Sequence, residues 1–292
     1  MTVIPAFSSM ALNGHTAGEL AAVAARLGYE GVELLWRDGS VLHDGMIRTE
    51  LQAVAAAFEK RSVRVLAISG YTRYTGDGHG SVSMLDGLKR QLDAAAVMGA
   101  EGVRVFGGFV PAGTHTERLR YIEGLTGFLE RAAGHAAGTG VRVLLATHDD
   151  FSTGSEVRPV LEGAGTAGIG VIWCVIHPIR RGEEPEATWE AIQDRVAVVH
   201  LKDALRGSAG EWQPLKPLGE GELPLERICG LLRCDGFTGP VSLEWEKHMQ
   251  PEIEDSMRTL EGGIRYLKDR FFGEPATSSN TSIHSHHFKE RA

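Results

Sequence analysis

Residues 196–203 read VAVVHLKD, an apolar run that ends in polar side chains. The β-branched residues and the short length predict a strand that is buried on both faces, as in a parallel sheet. A second run of this kind, VRVLLATHD at residues 141–149, also ends in polar residues. Buried strands that repeat along a chain predict an α/β protein.

Eight such runs recur, and each is followed by a stretch with helical periodicity. The predicted strands are residues 3–7, 31–35, 63–69, 102–107, 141–148, 169–177, 196–203 and 240–246. The predicted helices are residues 16–27, 46–60, 85–98, 117–137, 155–164, 187–196, 224–233 and 251–272. Eight alternations with no linker favour a single (β/α)8 TIM barrel over residues 1–272 rather than two doubly wound domains. Residues 273–292 have no periodicity and are predicted to form a flexible tail.

Composition excludes several classes of protein. The 292 residues are 42% hydrophobic and 23% charged, which is typical of a soluble globular protein and not of a disordered one. The net charge of −8 and the absence of a Lys/Arg run argue against binding to nucleic acid or to an anionic membrane surface. Three cysteines are too few for a disulfide framework, so we expect a cytoplasmic protein.

In a TIM barrel the active site lies at the carboxyl ends of the strands. Six polar residues fall at the ends of the predicted strands, namely His148, His177, His200, Lys202, Glu244 and His248. Glu33 and Arg104 lie within predicted strands, where a buried charge needs a partner. Tyr71 follows the third strand. We therefore predict a functional site at this face, and substrate contacts by Glu33, Tyr71, Arg104, His148 and His177.

Several motifs together resemble the xylose-isomerase-like barrel family, the sugar phosphate isomerase/epimerase group. They are LGYEGVELLW (27–36), RVFGG (104–108), THDDFSTG (147–154), HPIRRGEEPEATW (177–189), VVHLKDA (198–204), LGEGELPL (218–225) and VSLEWE (241–246). The resemblance implies a TIM barrel and an isomerase, epimerase or lyase. Its substrate would be a small polyhydroxylated or cyclic carbonyl compound. The resemblance also implies a homodimer.

The resemblance further implies one divalent metal, held by a Glu on the fifth strand, an Asp on the sixth, a His on the seventh and a Glu on the eighth. His200 and Glu244 match the last two of these ligands. His177 matches a His of the family that contacts substrate. Ala146 and Cys174 stand at the positions of the other two ligands. The usual pair of Glu residues, which exchange protons on opposite faces of the substrate, is therefore incomplete.

Two interpretations remain open. In the first, Cys174, His200 and Glu244 hold Zn²⁺ or Fe²⁺, because thiolate and imidazole suit these metals better than Mg²⁺ or Mn²⁺. In the second, no metal is bound. The site then works by acid/base chemistry with His148, His177, His200 and Glu244, or the barrel is a non-catalytic, regulatory protein that binds a ligand. In the enzymatic reading Glu244 is the general acid/base, His200 a ligand or electrophile, and Lys202 a further catalytic group.

Overall fold

The predicted strands close into a parallel barrel. The computed structural model of the chain describes residues 3–76, 81–165 and 167–272. The barrel strands are β1 (Ile4–Ser8), β2 (Gly31–Leu35), β3 (Arg64–Ser69), β4 (Gly102–Phe106), β5 (Arg142–Ala146), β6 (Ile169–Cys174), β7 (Val196–Leu201) and β10 (Pro240–Leu243). Their order around the barrel is β1-β10-β7-β6-β5-β4-β3-β2. The predicted (β/α)8 TIM barrel is confirmed.

The helices pack around the outside of the barrel and begin at recognisable caps. They are α1 (Ala17–Leu27), α2 (Arg48–Glu59), α3 (Ser81–Met98), α4 (His115–His135), α5 (Gly154–Gly163), α6 (Ile176–Arg180), α7 (Pro185–Ile192), α8 (Leu225–Cys234) and α9 (Ser256–Phe271). A threonine side chain caps α1, α4 and α5, and in each the glutamate three residues later returns a hydrogen bond. These capping boxes satisfy backbone N–H groups that the first turn leaves unpaired.

Two predicted strands extend three residues too far along the chain, and those predicted at 141–148 and 196–203 extend two residues too far. The run 169–177 ends as a strand at Cys174, and His177 lies on the short helix α6. Pro178 has no N–H to donate, so this segment cannot continue a central strand. The run 240–246 ends as a strand at Leu243, although Glu244 still donates its N–H to Leu201 O at 3.2 Å. Helix α9 begins at Ser256 rather than at residue 251, because Asp255 caps the N–H of Arg258.

A small hairpin follows β7 and was not predicted. Strands β8 (Asp203–Arg206) and β9 (Trp212–Lys216) pair antiparallel outside the barrel. The buried carboxylate of Asp203 accepts the N–H groups of Ala204, Gly219, Gly221 and Leu223, at 2.9 to 3.2 Å. A Cβ at Gly221 would collide with this carboxylate. The LGEGEL segment is thereby held against the end of β7.

Apolar side chains fill the barrel below its mouth. Ala67, Leu144, Ile172 and Val198 belong to a cluster of buried residues from β3, β5, β6 and β7. Polar groups replace these apolar side chains near the carboxyl ends of the strands, where Glu33, Arg104 and His200 are buried. No helix in the described part of the chain is long and apolar enough to cross a membrane. The predicted tail, residues 273–292, lies outside the described residues.

Candidate active site

A cavity of about 310 Å³ opens at the carboxyl ends of the barrel strands. Its wall includes eight of the predicted site positions, namely Tyr71, Arg104, His148, Cys174, His177, His200, Lys202 and Glu244. Glu33 lies beneath the cavity floor and is completely buried. The structure therefore brings together residues from β2, β4, β6 and β7 and from the segments that follow β3, β5, β7 and β10.

Glu244 is the centre of the polar cluster. Its Oε1 lies 2.9 Å from Arg104 Nη1, and its Oε2 lies 2.7 Å from Lys202 Nζ and 3.1 Å from His200 Nδ1. Burial would raise the pKa of Glu244, but the charges of Lys202 and His200, with a smaller contribution from Arg104, hold that pKa well below its usual value. Glu244 is therefore ionised at neutral pH.

His200 lies between two carboxylates. Its Nε2 is 2.9 Å from Glu33 Oε2, and its Nδ1 faces Glu244. Burial would lower the pKa of His200, yet the charges of Glu33 and Glu244 outweigh burial and raise that pKa well above its usual value. Glu33 thus has the partner that its burial within a strand demands. Its second oxygen, Oε1, has no hydrogen-bond partner among the described residues.

Lys202 connects two carboxylates at the cavity wall. Its Nζ lies 2.7 Å from Glu244 Oε2 and 2.7 Å from Glu246 Oε1. Burial lowers the pKa of the Lys202 ammonium, but the charges of Cys174, Glu244 and Glu246 more than compensate and raise it. An ammonium group has three N–H donors, so two carboxylate contacts leave one donor for a ligand in the cavity.

Arg104 projects from β4 and is almost fully buried. Its Nε donates to Gly70 O at 3.1 Å, and its Nη1 binds Glu244. The guanidinium carbon lies 4.7 Å from the ring centre of Phe106 and 5.3 Å from that of Tyr71. Its Nη2 is buried and has no hydrogen-bond partner among the described residues.

Two further histidines line the cavity next to each other. The rings of His148 and His177 lie 4.2 Å apart, and Phe106 packs 4.6 Å from the ring of His148. Burial, with the charge of Lys202, holds the pKa of His177 well below its usual value, so this ring is neutral. His177 Nε2 has no hydrogen-bond partner among the described residues.

Tyr71 and Met249 form part of the rim of the cavity. Tyr71 is 37% exposed, and its Oη lies 3.4 Å from His248 Nε2 and 3.6 Å from Met249 Sδ. His248, which was predicted to converge with the other polar groups, lies beside this rim and does not line the cavity described above. Tyr71 does line the cavity, at the position from which a phenol can contact a ligand.

The comparisons with known proteins agree with this architecture. A match to the xylose isomerase-like TIM barrel family extends over residues 21–269. The chain belongs to this family. A comparison with curated protein sequences finds no match.

Solved structures of the family share the fold at low sequence identity. The probable 3-DHS dehydratase AsbF of Bacillus anthracis is 17% identical, with a TM-score of 0.73 over 92% of this chain and 100% of that one. The IOLI protein with a bound zinc atom is 15% identical, with a TM-score of 0.74 over 94% and 100%. The 3-keto-D-glucoside 4-epimerase YcjR of E. coli is 18% identical, with a TM-score of 0.71 over 91% and 99%.

Three buried residues form a candidate set of metal ligands. One donor atom from each of Cys174, His200 and Glu244 lies within 4.8 Å of the others, and all three residues are buried. Glu33 fixes the Nε2 side of His200, as carboxylates do behind metal-bound histidines. A thiol, an imidazole and one carboxylate fit Zn²⁺ or Fe²⁺, whereas Mg²⁺ and Mn²⁺ prefer oxygen ligands. The Ala146 side chain supplies no donor.

Sequence analysis did not assign a role to three polar residues that line or support the cavity. Glu246 binds Lys202, and Arg73 binds Asp149 at 2.7 Å. Asp149 in turn lies 2.7 Å from His148 Nδ1. The only available signal was the THDD segment itself, in which a histidine and a carboxylate are adjacent at the end of a strand.

Proposed function

We propose that the chain is an isomerase, epimerase or lyase that moves a proton next to the carbonyl group of a small polyhydroxylated or cyclic compound. The observation that carries this proposal is the Lys202–Glu244 ion pair, which is buried and yet lines the cavity. A charged donor beside a carboxylate is the combination that enolisation requires. Such titratable clusters in a cleft are typical of catalytic sites. A cytoplasmic location and a small-molecule partner belong to the same proposal.

Lys202 is assigned to the oxygen of the substrate. Its remaining N–H donates to a carbonyl oxygen and stabilises the negative charge that develops there when the neighbouring carbon loses a proton. Because its pKa is raised, the ammonium stays protonated throughout the reaction. His200, charged and held by Glu33, adds positive potential behind Glu244.

Glu244 is assigned to proton exchange on its side of the cavity, as predicted from the sequence. In the free site three cations contact its oxygens, and this makes it a weak base. A substrate oxygen that develops negative charge on the remaining N–H of Lys202 shares the ammonium charge with Glu244 and thereby increases the basicity of the carboxylate. The proton acceptor is in this way strengthened by binding of the substrate.

Substrate contacts are assigned to residues with unused donors or exposed faces. Both Arg104 and His177 line the cavity, and their buried atoms Nη2 and Nε2, which have no partner among the described residues, become available to a ligand when these side chains shift. Tyr71 and His148 border the same space, and Glu33 acts indirectly by orienting His200. Hydroxyl groups of a polyhydroxylated compound supply the donors and acceptors that these side chains lack.

Cys174, His200 and Glu244 would hold a divalent metal in place of the proton on His200 Nδ1, with zinc or iron preferred over magnesium or manganese. When bound, the metal polarises a carbonyl or hydroxyl oxygen as a Lewis acid. The IOLI structure with its zinc atom supports this assignment. The dehydratase and the epimerase among the similar structures support the type of reaction.

Exchange with solvent deuterium tests this proposal directly. A panel of ketoses, hydroxy-keto acids and cyclic hydroxyketones is incubated with the protein in D₂O, and loss of the proton next to the carbonyl is followed by NMR. We expect catalysed exchange in at least one compound, and a loss of about 100-fold or more in Lys202→Met. Exchange at the uncatalysed rate throughout the panel would contradict the enzymatic proposal.

Ala146 favours a second candidate function, a non-catalytic barrel that binds a ligand. The cavity has a methyl group where the family's carboxylate is implied, so one group of the usual acid/base pair is absent. This candidate predicts binding of a panel compound, measured by calorimetry, without any proton exchange.

A further inference from the structure

We propose that His148 and Asp149 form a proton-accepting pair that replaces the carboxylate missing at Ala146, with His148 as the catalytic base and Asp149 as its positioning residue. The proposal rests on the proposed function, since it assigns the second group that moves a proton. His148 lies two residues after Ala146, at the end of β5. In the barrel order, β5 is three places from β10, so the pair faces the cavity from a different side than Glu244.

The ring of His148 is held in one orientation. His148 Nδ1 lies 2.7 Å from Asp149 Oδ1, and the backbone of His148 exchanges hydrogen bonds with that of Phe151 at 3.0 and 3.1 Å. Phe106 and His177 pack against the ring. His148 Nε2 makes no hydrogen bond with any described residue, and the side chain lines the cavity.

Asp149 is held in a conformation that a non-glycine residue rarely adopts. Its φ is 54°, in the left-handed region, and its side chain is only 2% exposed. Arg73 Nε and Nη2 donate to the carboxylate at 2.7 and 3.3 Å, and Ser152 Oγ donates to the Asp149 carbonyl at 2.6 Å. Backbone strain of this kind persists where the surroundings enforce it, and it occurs often at functional sites.

The hydrogen atom on His148 determines what the ring can do. Its Nδ1 lies 2.7 Å from Asp149 Oδ1 and 2.9 Å from the backbone N of Asp149. If Nδ1 carries a hydrogen it donates to the carboxylate, and if it carries a lone pair it accepts from the backbone N–H. A hydrogen bond to an ionised acceptor is the stronger of the two, and a lone pair pointing at a carboxylate would be repelled. Nδ1 therefore carries the hydrogen, and Nε2 presents its lone pair to the cavity.

With this tautomer the proton transfer is balanced. His148 Nε2 takes the proton from the carbon next to the carbonyl, the C–H electron pair enters the new C=C bond, and negative charge moves to the oxygen that Lys202 holds. Asp149 stabilises the imidazolium that results. Neutral His177 does not repel it. In an isomerisation the imidazolium gives its proton to the former carbonyl carbon, the proton of the adjacent hydroxyl group moves to the oxygen that Lys202 holds, and a new C=O bond forms at the carbon that lost its proton. In an elimination the enolate re-forms its C=O bond, the C=C electron pair moves to break the C–O bond of the β-hydroxyl group, and that group takes the imidazolium proton and leaves as water.

The tautomer is measured by NMR on protein labelled with ¹⁵N-histidine, with His148 assigned from its absence in His148→Gln. We expect the hydrogen on Nδ1 in the wild type and a change of the tautomer balance in Asp149→Asn. The matched control is His135, an exposed histidine whose Nε2 lies 2.8 Å from Asp93. A wild-type ring with the hydrogen on Nε2 would overturn the proposal, whatever the activity.

Deuterium exchange provides the catalytic test, on whichever panel compound the wild type labels. We expect a loss of about 100-fold or more in His148→Gln, a loss of at least tenfold in Asp149→Asn, and no change in His135→Gln. His148→Asn serves as a second variant if His148→Gln does not fold. Full exchange in a folded His148 variant, with loss in His177→Gln, would assign the base to His177 instead. Absence of exchange in the wild type would refute the proposed function. The tautomer measurement does not depend on activity, so it would still show whether Asp149 holds the hydrogen of His148 on Nδ1.

Discussion

Lys202 Nζ lies 2.7 Å from Glu244 Oε2, and both side chains are at least 95% buried. The two residues follow neighbouring strands, β7 and β10, which pair in parallel. An ion pair removed from water in this way stabilises the fold little by itself, because desolvation offsets the attraction. It does, however, fix a permanent charge and a carboxylate beside the cavity.

Glu244→Gln is expected to lower kcat by about 100-fold or more, because it removes both the proton acceptor and the charge that balances Lys202. Leaving Arg104 without its carboxylate partner in the interior also costs about 3–5 kcal/mol of unfolding free energy. Turnover in the deuterium-exchange assay and urea denaturation measure the two effects separately. Glu246→Gln is the matched control, since Glu246 is less buried and contacts Lys202 alone among the cations of the cluster. An unchanged rate in a folded Glu244→Gln protein would remove Glu244 from the mechanism.

Metal selectivity is expected to follow the donor set. Elemental analysis of protein purified without chelator distinguishes the two interpretations. The metal-bound one predicts about one equivalent of zinc or iron per chain, which Cys174→Ala loses, and the metal-free one predicts none. In either case we expect no micromolar Mn²⁺ binding by the wild type, and its appearance in the double variant Ala146→Glu with Cys174→Asp, which restores two oxygen ligands. Equal Mn²⁺ binding by the unaltered protein, measured by calorimetry, would contradict this account of the two replacements.

Asp203→Asn is expected to destabilise the barrel without entering the chemistry. The carboxylate accepts four backbone N–H groups, and an amide replaces one acceptor oxygen by a donor that faces those same groups. We expect a loss of about 1–3 kcal/mol in the free energy of unfolding, measured by urea denaturation. Asp194→Asn is the control, because Asp194 is 54% exposed and its surface ion pair with Arg158 contributes about 1 kcal/mol at most. Similar losses in both variants would refute the special role of Asp203.

The sequence predicts more of the fold than of the site. Eight buried runs predict the barrel, and the barrel in turn predicts that His200, Lys202 and Glu244 lie close together. The partner of Glu33 could not be predicted, because any cation at the mouth would satisfy its buried charge. Helix α6 spans only five residues and has no readable period, so His177 was predicted on a strand. The link from Arg73 to Asp149 joins two loops, and no local pattern of the sequence indicates which loops meet.

At low pH we expect the hydrogen bonds to the Asp149 carboxylate to contribute less to the free energy of unfolding. Burial would raise the pKa of this carboxyl, but hydrogen bonds from His148 and Arg73 lower it from its usual 3.8 to about 2. Because the folded pKa is the lower one, this contribution to stability is complete above the unfolded pKa and is lost as the pH falls from about 4 towards 2. Asp149→Asn should therefore be less stable than the wild type at pH 6, by urea denaturation, and the difference should shrink at pH 3. If the difference in unfolding free energy between wild type and Asp149→Asn is the same at pH 6 and pH 3, the contribution does not depend on the charge of the carboxylate, and the prediction is wrong.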